Sequence, residues 1–517
     1  MSDYIFTKDG IISPKGGKIA FKTQPYEHQL KALKEFGDKK FFALLAEMGT
    51  GKTWIAINNF AYLYRKKLVQ NMLVVAPNGV QWNWVNRELP THLPLSNDVI
   101  YAGYSGGMNK AEKRKFEEVV NPLTPAGGRI LCVNWETLSN KKGFEICLKF
   151  INLSPDKSMI VLDESDYMKN PNAKCSQNVM NLKAFAPYRR IMTGTPITNS
   201  PFDAFSQYNF LHTNILGFKS FIAFQHRYGA FLPNDNPIVQ SIIQRTKGKR
   251  PLIPLKDKDG RKVYKNLDEL KAKIMPYSFR VLKRDCLDLP DKVYSVIEVD
   301  LTNKQKECYN MVGEEGLAIL NNEEIPVVNK VAILTKLCQI TGNNFITPAG
   351  DTIQVDTESN PKLDKLQEIV IKALSNGWQL IVWARYRAEI FDIKERMDQL
   401  GISSATYFGD TSKDERENAI NGFQAGEISV FISNPQSGGT GLTLTNAAVV
   451  VYYSNSFSLH DRLQSEDRAH RIGQQHNKVF YIDLVARNTV DCAIIDNLKN
   501  KLSVSENITS FKNYFKV

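Results

Sequence analysis

The chain has 517 residues, 43% of them hydrophobic and 23% charged, with a formal net charge of +12. That length exceeds one ordinary domain and predicts about three. No apolar run approaches the ~18–20 residues of a membrane span, and the opening MSDYIFTKDGIISPKGGK lacks the apolar core of a signal peptide. Seven scattered cysteines (Cys132, Cys147, Cys175, Cys286, Cys308, Cys338 and Cys492) include no C-x-x-C pair, which argues against a zinc site and for a reducing compartment.

Residues 1–20 read as a short leading strand or arm. In residues 23–36, TQPYEHQLKALKEF, Pro25 fits just before a helix start, and Leu30, Leu33 and Phe36 form an apolar stripe. Gln29 lies on that helix. Its amide both donates and accepts, which suits an adenine edge, although a solvent-facing helix glutamine looks the same in sequence. Residues 41–53, FFALLAEMGTGKT, join a buried strand to a glycine turn and a helix start, the pattern of a phosphate-binding loop. Gly49 and Gly51 let the backbone of Met48, Gly49, Thr50 and Gly51 fold around phosphate oxygens, and the helix N-terminus adds partial positive charge. Lys52 is placed to reach β- and γ-phosphates, and Thr53 to ligate Mg2+. Ala46 stands where the general pattern has its first glycine.

Residues 72–76, MLVVA, read as the next buried strand, ending at Pro77, and the following PNGVQWNWVNREL carries Trp82 and Trp84. Residues 131–133 lead into NWETLSN. Residues 159–162, MIVL, run into Asp163-Glu164-Ser165-Asp166. The carboxyl end of an apolar parallel strand is where α/β sheets place chemistry. Asp163 suits holding Mg2+ and Glu164 suits orienting or deprotonating an attacking water; capping a helix is the competing role. RRIMTGT, residues 189–195, ends a further strand, with Thr193 and Thr195 as hydroxyl donors. Residues 378–383, 430–433 and 449–453 read as strands of a second α/β domain with no phosphate loop of its own. Arg468 and Arg471, three apart on a predicted helix, share one face, and Gln464 lies one turn earlier. Cations here suit charge building on a γ-phosphate. SGGTGLTL, residues 437–444, reads as a loop along a phosphate backbone. Gly438, Gly439 and Gly441 permit close approach, and Ser437, Thr440 and Thr443 offer hydroxyls, contacts that are blind to base sequence.

The order of PYEHQ, AEMGTGKT, DESD and TGTP resembles a superfamily-two helicase motor. LQSEDRAHRIGQ, residues 463–474, is similar almost letter for letter to the signature of the Swi/Snf family of DNA-translocating ATPases. FRVLKRDCLDLPDK, LTNKQKECY, LTKLCQITG, SNPKLDKL and YFGDTSKDERENAINGF agree with it in order, so the resemblance runs from about Gln24 to Thr489. It implies an α/β fold of two RecA-like parallel-sheet lobes in tandem with helical insertions. It also implies that ATP and Mg2+ are cofactors, that Arg468 and Arg471 are arginine fingers with Gln464 facing the same cleft, and that Gly441 joins the nucleotide contacts. The loops at Pro77 and at Trp135 and Thr137 would track a DNA strand, as would Ser437, Gly438, Gly439 and Thr440. Trp84 reads as core, with a DNA contact as its alternative.

The expected division is a first lobe over residues 1–215, helical protrusions, a basic insert and a linker over 216–360, and a second lobe over 361–517. Residues 245–273 hold eleven Lys/Arg against four Asp/Glu, more than half of the chain's charge excess. Lys247, Lys249 and Arg250 are its candidate DNA contacts, against a solvated loop. The resemblance implies an ATP-dependent motor on double-stranded DNA, expected as a monomer. The alternatives are a branched-DNA remodelling helicase acting at forks or Holliday junctions, and an ATP-gated clamp or polymerase-displacing factor of low turnover. A chromatin remodeller proper would need targeting modules for which no room is expected, which favours a cytoplasmic protein of bacterial or viral origin.

Overall fold

Apolar runs of five to seven residues become strands whose side chains alternate between two cores. In the computed structural model, residues 4–95, 97–194, 197, 200–246, 250–258, 261–321, 327–347, 351–409, 411–438 and 442–509 are described. The chain divides between Cys286 and Leu287 into two units, the first of which also includes the chain from Asn500 onward.

In the first unit the leading arm is a small antiparallel sheet of β1 (Ile5–Thr7), β2 (Gly10–Ile12) and β3 (Lys18–Ala20). A parallel sheet follows, built from β4 (Phe41–Ala46), β5 (Asn71–Ala76), β6 (Val99–Tyr104), β7 (Gly128–Asn134), β8 (Ser158–Asp163), β9 (Tyr188–Met192) and β10 (Ser278–Val281). Its order is β10-β4-β9-β8-β5-β7-β6. Phe42, Leu44, Met72 and Val74 pack into the core on one face, while Ala43, Leu45, Leu73 and Val75 pack into the core on the other. Burial on both faces is why these strands read as unbroken apolar runs. The order puts β9 between β4 and β8, so the loops leaving β4 and β8 open at the same edge of the sheet. Helix α1 (Glu27–Phe36) buries Leu30, Leu33 and Phe36, and α2 (Lys52–Arg65) starts at the loop after β4.

In the second unit, β11 (Asp291–Val299) precedes a hairpin of β12 (Asn344–Ile346) and β13 (Thr352–Gln354). Then come β14 (Gln379–Trp383), β15 (Ser404–Tyr407), β16 (Val430–Ser433), β17 (Ala447–Tyr452) and β18 (Lys478–Ala486). The parallel order is β11-β18-β17-β14-β16-β15. Leu380 and Val382 face one core, Ile381 and Trp383 the other. The segment 216–360, expected as helical protrusions and linker, therefore gives an edge strand to each sheet. β10 pairs with β4 from Ser278↔Ala43 to Val281↔Ala46, and β11 pairs with β18 along nine residues. Edge strands are half-exposed, so β11 lacks the apolar run that marks the central strands. Among the described residues, no helix is long and apolar enough to cross a membrane.

Candidate functional site

The loop after β4 turns at Gly49 and Gly51, whose φ angles are +80° and +81°, the left-handed region that suits glycine. Gly51 is doubly constrained, because a Cβ there would meet Gln29 Nε2 at 2.1 Å. Gln29 is 3% exposed. Its Oε1 accepts from the Tyr26 N–H at 2.8 Å, and its Nε2 donates to the Thr50 and Gly51 carbonyls at 3.5 and 3.4 Å. His28 Nε2 also meets the Thr50 carbonyl, at 2.7 Å. Helix α1 thus holds the turn by side chain to backbone. Glu47 ties it from the other side: its N–H donates to the Val281 carbonyl at 3.0 Å, and its Oε2 accepts from the Lys283 N–H at 2.6 Å. That second anchor is 236 residues away, within FRVLKRD, residues 279–285. Met48 lies in this turn, and Thr53, half-buried, follows Lys52 on α2.

Lys52 reaches across to the end of β8. Its Nζ donates to the Ala46 carbonyl at 2.9 Å and lies 3.7 Å from Glu164 Oε1, with both side chains buried. Glu164 has φ +46° and ψ 60°, a left-handed conformation that costs a non-glycine residue about 1–2 kcal/mol. Such strain collects at functional sites. Asp163 is 6% exposed. Its Oδ2 accepts from the Trp84 indole N–H at 2.9 Å and its Oδ1 from the Glu164 N–H at 3.1 Å. Burial, then the neighbouring Glu164, pushes the Asp163 carboxyl up to about 6, against the Trp84 hydrogen bond and Lys52. Two buried carboxylates beside one ammonium leave surplus negative charge. Hard oxygen donors with that surplus suit Mg2+.

In the second unit the helix expected to carry the two arginines is shorter. It spans Leu459–Glu466 and includes Gln464, whose Nε2 pairs with His460 Nε2 at 2.6 Å. Arg468 and Arg471 sit on the turns that follow, where the Arg471 N–H already reaches back to the Ala469 carbonyl and Gly473 takes φ +97°. They still converge, since each Nη1 donates to the Leu442 carbonyl, at 3.1 and 3.2 Å. Arg471 also meets Thr443 Oγ1 at 3.2 Å. The helix is anchored by buried charge. Arg462 pairs with Glu466 and Asp483 and lies 3.6 Å over the Tyr452 ring, while Lys292 and Tyr294 on β11 bond Glu466 at 3.0 and 2.7 Å. Burial pushes Glu466 up, but the Lys292 and Arg462 charges outweigh it and hold the carboxyl at about 2.

The expected DNA contacts fare unevenly. Pro77 is buried, Trp135 is 2% exposed and Thr137 is 6% exposed. The Trp135 indole N–H donates to the Asp163 carbonyl at 3.1 Å, and the Thr137 hydroxyl donates to Asn134 Oδ1 at 2.6 Å. These side chains turn inward to satisfy buried polar atoms, and so do not line an outer surface. The exposed positions of the two segments are Asn78 and Gly79 after β5, and Glu136, Ser139 and Asn140 after β7. Trp84, at 1% exposure, is core. Arg250 is exposed. Thr195, Lys247, Lys249, Gly439, Thr440 and Gly441 lie outside the described residues. Gly438 ends the short helix Pro435–Gly438, which contains Ser437.

Comparison with known proteins adds the family. The SNF2-related domain matches residues 39–342, and the helicase conserved C-terminal domain matches residues 361–473. The chain is 25% identical to the "ATP-dependent helicase brm" of Drosophila melanogaster, over 93% of this chain and 29% of that protein. It is 26% identical to the "Transcription regulatory protein SNF2" of Saccharomyces cerevisiae, over 89% of this chain and 26% of that protein. It is 25% identical to the "ISWI chromatin-remodeling complex ATPase CHR17" of Arabidopsis thaliana, over 89% and 40%. The chain therefore spans between a quarter and two fifths of the length of these curated relatives. A solved structure, "Sulfolobus solfataricus SWI2/SNF2 ATPase core in complex with dsDNA", aligns over 95% of this chain and 94% of that one, at 24% identity and a TM-score of 0.40. With the SNF2-related domain alone covering more than half of its length, the chain belongs to the SNF2-related family.

Proposed function

We propose that the protein is an ATP-driven motor that tracks along double-stranded DNA, hydrolysing ATP to ADP and phosphate. The observation that carries the reading is the convergence of Lys52, Asp163 and the strained Glu164 where the loops after β4 and β8 open together. Lys52 meets the β- and γ-phosphates, and the amides around Gly49 and Gly51 cradle them. Gln29, its amide bonded to the Tyr26 N–H and to the Thr50 and Gly51 carbonyls, holds the turn in the shape that cradles them. Thr53 and Asp163 hold Mg2+, which when bound offsets charge on the phosphate oxygens. Glu164 orients the attacking water. Arg468 and Arg471, assigned by the family signature with Gln464 beside them, supply cationic charge as negative charge grows on the transferred group. The names of the relatives, an ATP-dependent helicase and a chromatin-remodeling ATPase, support ATP as the fuel. The net charge of +12 and the exposed Arg250 support a polyanionic partner.

The test is ATP turnover without DNA, with single strands, with plain duplex and with a forked junction, Lys52→Ala serving as control. The reading expects strong and similar stimulation by duplex and junction, little by single strands, and loss of turnover in Lys52→Ala. A strong junction preference would favour fork remodelling; turnover indifferent to DNA would refute the motor.

A further inference from the structure

Two indoles close on one residue, Trp84 on the Asp163 carboxylate and Trp135 on the Asp163 backbone carbonyl. Trp84 begins a π-helical turn, Trp84–Glu88, shortly after the exposed Asn78 and Gly79 of the loop after β5, and its N–H donates to Asp163 Oδ2 at 2.9 Å. Wide turns of this kind are frequent at functional sites. Trp135, the first residue after β7, donates its N–H to the Asp163 carbonyl at 3.1 Å, and its ring stacks on Tyr167 at 5.9 Å and 8°. The loops that carry them are bonded to each other. Asn78 Oδ1 accepts from Gln81 Nε2 at 3.5 Å and from Asn134 Nδ2 at 3.3 Å. Asn134 Oδ1 in turn accepts from the Thr137 N–H at 2.8 Å and its hydroxyl at 2.6 Å. The exposed Asn78 is thus linked through Asn134 to the segment whose next residue, Trp135, touches Asp163.

An indole N–H is a neutral donor with no acceptor capacity. It fixes the rotation of a carboxylate without neutralising it and without competing for a cation. With the Glu164 N–H on Oδ1, both Asp163 oxygens are oriented, and any shift of the loop after β5 carries Trp84 with it. We infer that Trp84, bonded to the carboxylate, and Trp135, bonded to the backbone carbonyl, are positioning residues that set Asp163 for Mg2+ and pass the state of the two loops to it. The inference rests on the motor reading, in which Asp163 faces Mg2+–nucleotide and these loops face DNA.

The test is Mg2+-dependent binding of a fluorescent ATP analogue, which needs no turnover, in wild type, Trp84→Phe, Trp135→Phe and Trp82→Phe. Trp82 packs on Gly103, whose added Cβ would meet its ring at 2.7 Å, and serves as the control. In Trp84→Phe the Mg2+ concentration for half-maximal tightening should rise about tenfold, the scale on which partners of metal ligands act. Affinity in EDTA should stay within about twofold. Saturating duplex should shift the Mg2+ midpoint of wild type and of Trp82→Phe, and shift it much less in Trp84→Phe and Trp135→Phe. If Trp84→Phe fails to fold, benzothienylalanine at position 84 keeps the ring shape and removes only the N–H. An unchanged Mg2+ midpoint and duplex shift in the position-84 variant would overturn the inference while leaving the motor intact. So would an equal loss of affinity in EDTA, which marks a merely structural role. A wild type whose nucleotide binding ignores Mg2+ would instead overturn the reading of the site, and the inference with it.

Discussion

Gly51 concentrates two constraints in one residue. Its φ of +81° disfavours any side chain, and its missing Cβ leaves room for the Gln29 amide 2.1 Å from where that Cβ would stand. Gly51→Ala is therefore predicted to push Gln29 off the turn and weaken ATP binding by at least about tenfold, or about 1.4 kcal/mol. Gly16 is the matched control, with φ +83° and nothing within 4 Å of its Cβ position. Gly16→Ala should cost about 1 kcal/mol of stability and leave ATP binding intact. Titration with a nucleotide analogue checks both, and equal affinity in the two variants would contradict the role of Gln29. In sequence, Gln29 was an open choice between adenine contact and surface residue, because only the fold brings α1 against the loop after β4. Lys52, Asp163 and Glu164 were legible, since their positions at strand ends are local facts. The hydrogen bonds from Trp84 and Trp135 to Asp163 were not, because they join residues 79 and 28 positions apart.

At the scale of elements, the central strands were readable because burial on both faces leaves unbroken apolar runs. β6, β10, β11, β12, β13, β15 and β18 escaped, and for the edge strands β11 shows why: exposed Tyr294 and Val296, at 56% and 45%, and charged residues interrupt its pattern. The arginine-bearing helix was overextended because three-residue spacing also fits the turns after Glu466. The helix Arg387–Gln399 carries a further consequence. Glu389 is wholly buried, accepts hydrogen bonds from Ser454 and the Tyr386 N–H, and is pushed by burial up to about 7. Its folded value lies above its ordinary value of 4.5. The folded protein thus keeps a proton that the unfolded chain releases. The stability this contributes is full below about pH 4.5, declines as pH rises, and is gone above about pH 7. Glu389→Gln does not titrate, so its stability relative to wild type should improve between pH 4.5 and 8, on the order of 3 kcal/mol. Urea midpoints of the full chain at both pH values measure this. An equal offset at both would contradict it.

For the whole molecule, two parallel-sheet units carry the sequence signals of the SNF2-related family. The first holds the phosphate loop and the acidic strand end, the second the paired arginines. The boundary at Cys286 and Leu287 was hidden because the strands on either side of it, β10 and β11, are edge strands of different sheets. The excess of positive charge within residues 245–273 fits binding to a polyanion. A DNA-dependent ATPase is not yet a motor, however, since a clamp gated by ATP would also respond to DNA. The most direct measurement is displacement of a third strand from a triplex embedded in linear duplex, with Lys52→Ala alongside. Tracking along duplex predicts ATP-dependent release of the third strand, its lag lengthening with the distance between entry point and triplex, no release by Lys52→Ala, and little separation of the duplex strands. DNA-stimulated hydrolysis with the triplex left intact would contradict it.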